Sequence, residues 1–266
     1  METLLNHPWE WGFLVAIVLA LALECGRSVA VHSSIHDDAS RKDQIVTIRD
    51  GLFVLLSLLL GFTLALAAPR YVERRSLLVE EAVSIGTTYL RASILPQPYC
   101  DRSQRLLREY VTARLHLDNA GSNPARYAEA TNRWKKIQEE LWSEAAAASQ
   151  TDRSAIAAVY VSALNKTIDL HELRVAALEN RIPKPVWLLI IAVCVIALFS
   201  RGLTLTSRFW LTLILVPITV AVVVALIADL DTPSSGLIQL DQRTMLRLKM
   251  DLNAASQVEL PDKLAP

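Results

Sequence analysis

Four polar side chains recur along one stretch of the sequence at spacings typical of a single helix face. Glu81, Ser84, Thr88 and Arg91 are separated by three, four and three residues. Residues three and four apart are neighbours on a helix surface, so these side chains would form one polar row. Hydroxyl groups and an arginine suit contact with an anion, whereas the carboxylate of Glu81 does not. The same row could instead pack against a neighbouring helix, with Glu81 in an ion pair.

A second group of polar residues has side chains that can bind metals. His32 and His36 are four residues apart, and Asp37 and Asp38 follow directly. On a helix this spacing would place two imidazoles on one face, which suits a divalent transition metal. The alternative is a solvated loop, and no third ligand with a suitable spacing is evident. We therefore predict that the chain binds no metal and no cofactor.

The sequence contains none of the short motifs that mark common catalytic sites, such as GxSxG, HExxH or a Walker loop. The neighbouring acids Glu80 and Glu81 point to different sides of a helix, so they cannot act as a carboxylate pair. Lys plus Arg and Asp plus Glu number 27 each, and this balance argues against nucleic-acid binding. The three cysteines are far apart, which argues against a disulfide framework or a zinc site. We predict that the protein is not an enzyme.

The elements that must position these residues are long apolar runs. Of the 266 residues, 52% are hydrophobic. Four runs are long and apolar enough, or nearly so, to cross a bilayer as helices: Trp9–Leu23, Leu52–Ala68, Val186–Ser200 and Phe209–Ala228. No Lys or Arg precedes the first run, which favours a transmembrane helix over a cleaved signal peptide.

These runs predict an all-α membrane protein with four transmembrane helices. A helical extramembrane domain is expected to be inserted between the second and third of them. The predicted parts are residues 1–68 (two transmembrane helices and their connector), 69–184 (the helical domain), 185–230 (two transmembrane helices) and 231–266 (a C-terminal tail).

One helix is predicted to pass from the second span into this domain, from Gly51 to Leu95. No turn signal separates its two halves, although Pro69 lies between them. Beyond Pro69 an apolar seam recurs every three or four residues, formed by Leu78, Ala82, Ile85, Tyr89 and Ala92. Pro96 ends the helix because proline lacks an amide donor.

Short motifs on and after this helix resemble the bestrophin-like family of bacterial membrane proteins. The residues that carry the resemblance are Leu59-Leu60-Gly61-Phe62, Glu81-Ala82, Tyr89-Leu90-Arg91, and Asp231, Pro233 and Gly236. The family is a domain of unknown function, named for its likeness to bestrophin anion channels. The resemblance implies a second span that builds the pore. It also implies cytosolic termini and a cytosolic helical domain, although the basic residues near the spans divide almost evenly between the two orientations.

Two functions remain open at this point. The first is a homo-oligomeric anion channel in the plasma (inner) membrane, with a small anion as its ligand and lipid as its surroundings. Its candidate pore residues are Ser57 and Gly61, a pair of small residues four apart, together with the polar row of Glu81, Ser84, Thr88 and Arg91. Small residues at this spacing also let transmembrane helices pack closely. The second function is a non-conducting scaffold or signalling protein whose helical domain binds a partner.

The resemblance also singles out two acids, Glu81 and Asp231. With four spans, the second and fourth run in the same direction, so both acids leave the membrane on the same side. An acid in a partly dry helix junction needs a cation or several hydrogen-bond donors. The nearby basic residues that could supply this positive charge are Arg70, Arg74, Arg75 and Lys184. We expect at least one of the two acids to have a structural role.

Overall fold

The computed structural model describes residues 7–33, 39–119, 124–151, 155–205, 210–232 and 236–262. The described residues form α-helices and no strand. The helices are α1 (Pro8–His32), α2 (Ala39–Ala92), α3 (Tyr99–Asn119), α4 (Pro124–Thr151), α5 (Ala155–Glu179), α6 (Lys184–Leu203), α7 (Trp210–Asp231) and α8 (Arg243–Asp262). Four described segments are long and apolar enough to cross a membrane, and they contain α1, α2, α6 and α7. The prediction of an all-α chain with four transmembrane helices is confirmed.

The first two spans extend well beyond their apolar runs. The charged residues from Glu24 to Asp50 connect the first two apolar runs, and within them α1 continues to His32 and α2 begins at Ala39. Arg, Lys and Gln are good helix formers, so a helix can continue after the apolar run has ended. His36 and the two aspartates after it lie outside the described residues.

The longest helix, α2, contains 54 residues and passes through Pro69 without a break. This continuity confirms the predicted passage from the second span into the following polar region. The helix ends at Ala92, three residues before the predicted end. The amide of Leu95 donates to the carbonyl of Ala92 at 3.2 Å, so a turn precedes Pro96.

The chain divides into two compact units. Unit 1 comprises Met1–Tyr71 and Asn180–Gln239, and unit 2 comprises Val72–Glu179 and Leu240–Pro266. The sequence suggests a separate C-terminal tail, whereas Met245 and Leu252 of α8 are buried in the hydrophobic core of unit 2.

In unit 1, α1 packs against α6 and α7. Glycine lets α1 and α6 approach each other closely, because a Cβ atom on Gly26 would overlap the backbone carbonyl of Phe199. A Cβ atom on Gly202 would likewise overlap the carbonyl of Leu23. This contact is the close packing that small residues permit between transmembrane helices.

In unit 2, the predicted apolar seam of α2 forms part of the core. All five residues of the seam are buried, with exposed fractions of 4% or less. Four of them, Ala82, Ile85, Tyr89 and Ala92, belong to one hydrophobic cluster with residues of α3, α4, α5 and α8, such as Leu107, Trp134, Tyr160 and Met245. The seam therefore fixes which side of α2 faces the interior of unit 2.

Replacing Gly26 with alanine should destabilise the protein, because the added methyl group has no space beside Phe199. Overpacking of this kind costs about 1–3 kcal/mol. Gly51 of α2 is a matched control, since a Cβ atom there meets nothing within 4 Å. Gly51→Ala should leave the midpoint of thermal unfolding in detergent unchanged or higher. Equal midpoints for the two variants would contradict the close packing of α1 on α6.

Candidate functional site

The carboxylate of Glu81 is buried in unit 2 among basic side chains from two other helices. The Nε atom of Arg114, on α3, donates to Glu81 Oε1 at 3.2 Å. On α5, Nη1 of Arg174 lies 3.7 Å from Oε2, and Nδ1 of His171 lies 3.2 Å from Oε1. None of these four side chains is more than 3% exposed. One carboxylate therefore connects α2, α3 and α5.

Aromatic rings shield this ionic group from water. The indole of Trp134, on α4, stacks on the imidazole of His171 with ring centres 3.8 Å apart. The ring of Tyr110, on α3, lies 6.0 Å from that of Trp134. Burial, assisted by the negative charge of Glu81, raises the pKa of Tyr110, so its phenol stays neutral at physiological pH. Ionic contacts are stronger in such a dry setting, and an unpaired charge there is more costly.

The two hydroxyl residues of the predicted polar row bind a third hydroxyl on α5. The Oγ atom of Ser84 and the Oγ1 atom of Thr88 each lie 2.9 Å from Oγ1 of Thr167. Thr88 also donates to the carbonyl of Ser84 at 2.9 Å. These side chains are buried, with exposed fractions of 5% or less. Their hydrogen bonds join α2 to α5.

The last residue of the polar row, Arg91, is half-buried. Its Nη1 atom donates to the carbonyl of Val159, on α5, at 3.3 Å. All four residues of the row therefore contact α5 or α3 within unit 2. This geometry supports the packing alternative for the row, and a role in contacting ions remains a hypothesis.

The cations around Glu81 differ from those that its sequence neighbourhood suggested. Its partners come from α3 and α5, whereas Arg70 approaches the other acid, with Nη1 3.9 Å from Oδ1 of Asp231. The Nε atom of Arg74 donates to the carbonyl of Ala177 at 2.9 Å. Proximity in sequence does not identify these pairs, because the chain folds back between them.

In unit 1, Asp231 lies at the end of α7. Both of its carboxylate oxygens accept the amide of Ile182, at 3.0 and 3.2 Å. Asp231 thus holds the short connector that precedes α6, while Arg70 of α2 lies nearby. Three elements of unit 1 meet at this carboxylate.

A neighbouring acid that sequence reasoning did not select, Asp229, is fully buried and holds the segment after α7. Its carboxylate accepts the amides of Leu237 and Ile238 at 3.1–3.2 Å. Gly236 has a φ angle of 115°, and a Cβ atom there would overlap the carboxylate of Asp229. The sequence feature that could have predicted this contact is an acid at the end of an apolar run, followed seven residues later by a glycine. Pro233 lies outside the described residues.

Each of the two aspartate carboxylates accepts backbone amides, and the carboxylate of Asp231 also lies 3.9 Å from Arg70. Among the described residues, no group of three or more His, Cys, Asp or Glu side chains could hold a metal ion. The two acids therefore hold chain segments that lie next to the ends of helices.

The family-motif residues on the membrane part of α2 divide between two faces. Leu60 is buried in unit 1 and Leu59 is half-buried. Phe62 is 61% exposed, and a Cβ atom on Gly61 would meet nothing within 4 Å. Ser57 is exposed, and its hydroxyl donates to the carbonyl of Val54 at 2.8 Å.

The motif residues on the second half of α2 show the same division. Ala82 and Tyr89 belong to the core of unit 2. The phenolic oxygen of Tyr89 accepts Nη1 of Arg108, on α3, at 3.0 Å. Leu90, the next residue, is 71% exposed.

A row of exposed residues on α2 runs from Val54 to Leu90. Its residues recur every three or four positions, and all are exposed except the half-buried Thr87. We call this set the exposed row: Val54, Leu58, Gly61, Ala65, Pro69, Val72, Ser76, Glu80, Val83, Thr87 and Leu90. The row contains one of the candidate pore residues, Gly61, and one further family-motif residue, Leu90, and Ser57 lies beside the row.

Glu81→Gln should destabilise unit 2, because it leaves Arg114 and Arg174 facing an uncharged amide in a dry interior. Breaking a buried ion pair costs about 3–5 kcal/mol. Glu80→Gln is a matched control, since Glu80 is exposed and surface changes are usually within about 0.5 kcal/mol. The midpoint of thermal unfolding in detergent should fall for Glu81→Gln alone. Unchanged stability together with altered ion flux would instead assign Glu81 to an ion pathway.

The model of the bestrophin-like domain matches residues 12–245 of this chain. No curated protein sequence matches the chain.

Crystal structures of a bacterial bestrophin homologue from Klebsiella pneumoniae have a similar fold. One, phased with zinc, has 14% sequence identity and a TM-score of 0.64, and the match covers 89% of this chain and 96% of that chain. A single-residue variant has 15% identity and a TM-score of 0.65, with 91% and 98% of the two chains covered. A second variant has 13% identity and a TM-score of 0.63, with 88% and 97% covered. On the family match over most of its length, this chain belongs to the bestrophin-like family.

Proposed function

We propose that the protein is a homo-oligomeric ion channel of the inner membrane, in which the exposed row of α2 faces the ion pathway. The observation that carries this proposal is the division of α2 into two faces. One face packs inside the chain through residues such as Leu56, Leu60, Leu78 and Ile85. The opposite face remains exposed from Val54 to Leu90.

The second half of the exposed row supports an oligomer. Val72, Val83 and Leu90 are 63%, 62% and 71% exposed, although they follow the apolar run that ends at Ala68. Aligned apolar side chains outside lipid mark interaction surfaces, because their contact with water is unfavourable. Copies of the same chain arranged around a common axis would bring these side chains together.

The membrane half of the row suits a narrow apolar passage. Its members Val54, Leu58, Gly61 and Ala65 carry no charge and include two small residues. Apolar constrictions in channels close by expelling water, and small side chains set how wide they are. This part of α2 therefore has the composition of a gate.

The proposed ion is an anion, because the family is named for its likeness to anion channels. One residue of the exposed row favours a second candidate, a cation channel. Glu80 is an exposed carboxylate that accepts a hydrogen bond from Ser76 Oγ at 3.1 Å. In a symmetric oligomer it would form a ring of negative charge, which attracts cations.

Reconstitution into liposomes tests both the channel and its selectivity. Under a potassium chloride gradient, an anion channel gives a reversal potential near the chloride equilibrium potential, and a cation channel gives one near that of potassium. Glu80→Gln should shift the reversal potential towards chloride, because it removes negative charge from the pathway. Glu129→Gln, at an exposed position on α4, should cause no shift.

The oligomeric state of the purified protein is the complementary measurement. A stable monomer in several mild detergents would contradict the channel. A stable oligomer without ion flux would favour the alternative of a non-conducting scaffold.

A further inference from the structure

The exposed row of α2 contains one unusual polar group, which belongs to the backbone. Pro69 lies inside the helix and has no amide hydrogen. A helical carbonyl normally accepts the amide of the residue four positions later, so the carbonyl of Ala65 lacks its usual donor. Both residues are exposed, and both belong to unit 1. An acceptor is therefore left over on an otherwise apolar part of the row.

The backbone on this side of α2 is open to contact from outside the chain. Ala65 carries only a methyl group, and one turn earlier a Cβ atom on Gly61 would meet nothing within 4 Å. Hydroxyl side chains can satisfy a carbonyl that a proline has freed. The nearby hydroxyl of Thr63 does not do so, because it donates to the carbonyl of Leu59 at 2.7 Å.

Neither lipid nor a second copy of the row provides a donor for this carbonyl. The hydrocarbon of a bilayer contains no hydrogen-bond donor, and backbone groups freed at membrane depth are tolerated where protein or a water-filled cavity satisfies them. In a symmetric oligomer the carbonyl would face the same row of another copy. The neighbouring members of that row, Leu58, Gly61 and Ala65, have no donor in their side chains. Water is the donor that remains.

We propose that the carbonyl of Ala65 binds water inside the ion pathway and is a hydration site at the end of its apolar passage. The inference rests on the proposed function, because it requires the exposed row to face the pathway. Apolar passages close by expelling water, and hydrogen-bonding groups in their lining oppose this. Each copy in an oligomer would contribute one such oxygen at the same depth. The freed carbonyls would thus keep the passage wet just before Pro69.

Pro69→Ala tests the site without changing a charge or adding a polar side chain. It supplies the missing amide to the Ala65 carbonyl, and alanine is the best helix former. Ion flow in liposomes should fall about fivefold, which corresponds to the loss of one hydrogen bond of about 1 kcal/mol. The reversal potential should stay the same, because the site binds water and not an ion. The matched control is Pro217→Ala, which restores an amide inside α7 and should leave ion flow unchanged.

A second readout does not depend on conduction. In a variant without the native cysteines, Gly61→Cys places a thiol on the exposed row one turn before Ala65. A charged thiol reagent reacts with this thiol only where water reaches it. Adding Pro69→Ala should slow the reaction severalfold, and adding Pro217→Ala should not.

A labelling rate that Pro69→Ala leaves unchanged would overturn the inference, whatever the ion flow. Unchanged ion flow in a protein that conducts would also overturn it and would leave the channel itself intact. A reversal potential displaced towards chloride would overturn it as well, because the carbonyl would then coordinate a permeating cation directly. If the unmodified protein conducts no ions, the proposed function fails, and the labelling rates still decide whether the carbonyl is hydrated.

Discussion

The burial of one carboxylate constrains the rest of unit 2. Removing an ion of this size from water costs several kcal/mol, so Glu81 needs its contacts with Arg114, Arg174 and His171. Those contacts determine which side of α2 faces α3 and α5. Since consecutive residues are about 100° apart on a helix, the neighbouring Glu80 must then point outward. Two adjacent glutamates thereby acquire opposite environments.

The part of α2 that belongs to unit 1 is also divided into a buried and an exposed side. Leu56, Leu60 and Ala67 are buried in unit 1, while Val54, Leu58 and Ala65 are exposed. Within each unit, the residues of α2 from Leu56 onward thus include a buried side and an exposed side. This division is the physical basis for placing the exposed row at an ion pathway. The polar row, which contains Ser84 and Thr88, lies on the buried side of α2.

The sequence predicts the spans and the apolar seam well because both depend on local patterns. In lipid every backbone amide must be satisfied within the segment, so a long apolar run is a helix almost by necessity. The partners of Glu81 are a different case, since His171 lies 90 positions away and Arg114 lies 33 positions away along the chain. Polar residues at helical spacing serve packing or a pathway equally well, and only the tertiary contacts of Ser84 and Thr88 distinguish these uses. The backbone partners of Asp229 and Asp231 also depend on long-range folding.

Chemical labelling of α2 in the reconstituted protein tests the two-faced helix most directly. In a variant without Cys25, Cys100 and Cys194, single cysteines replace either Ala65, on the exposed row, or Ala67, which is fully buried. A charged thiol reagent should reduce ion flux through the Ala65→Cys protein and leave flux through the Ala67→Cys protein unchanged. Block of flux at Ala67→Cys, with no effect at Ala65→Cys, would contradict the assignment of the exposed row to the ion pathway.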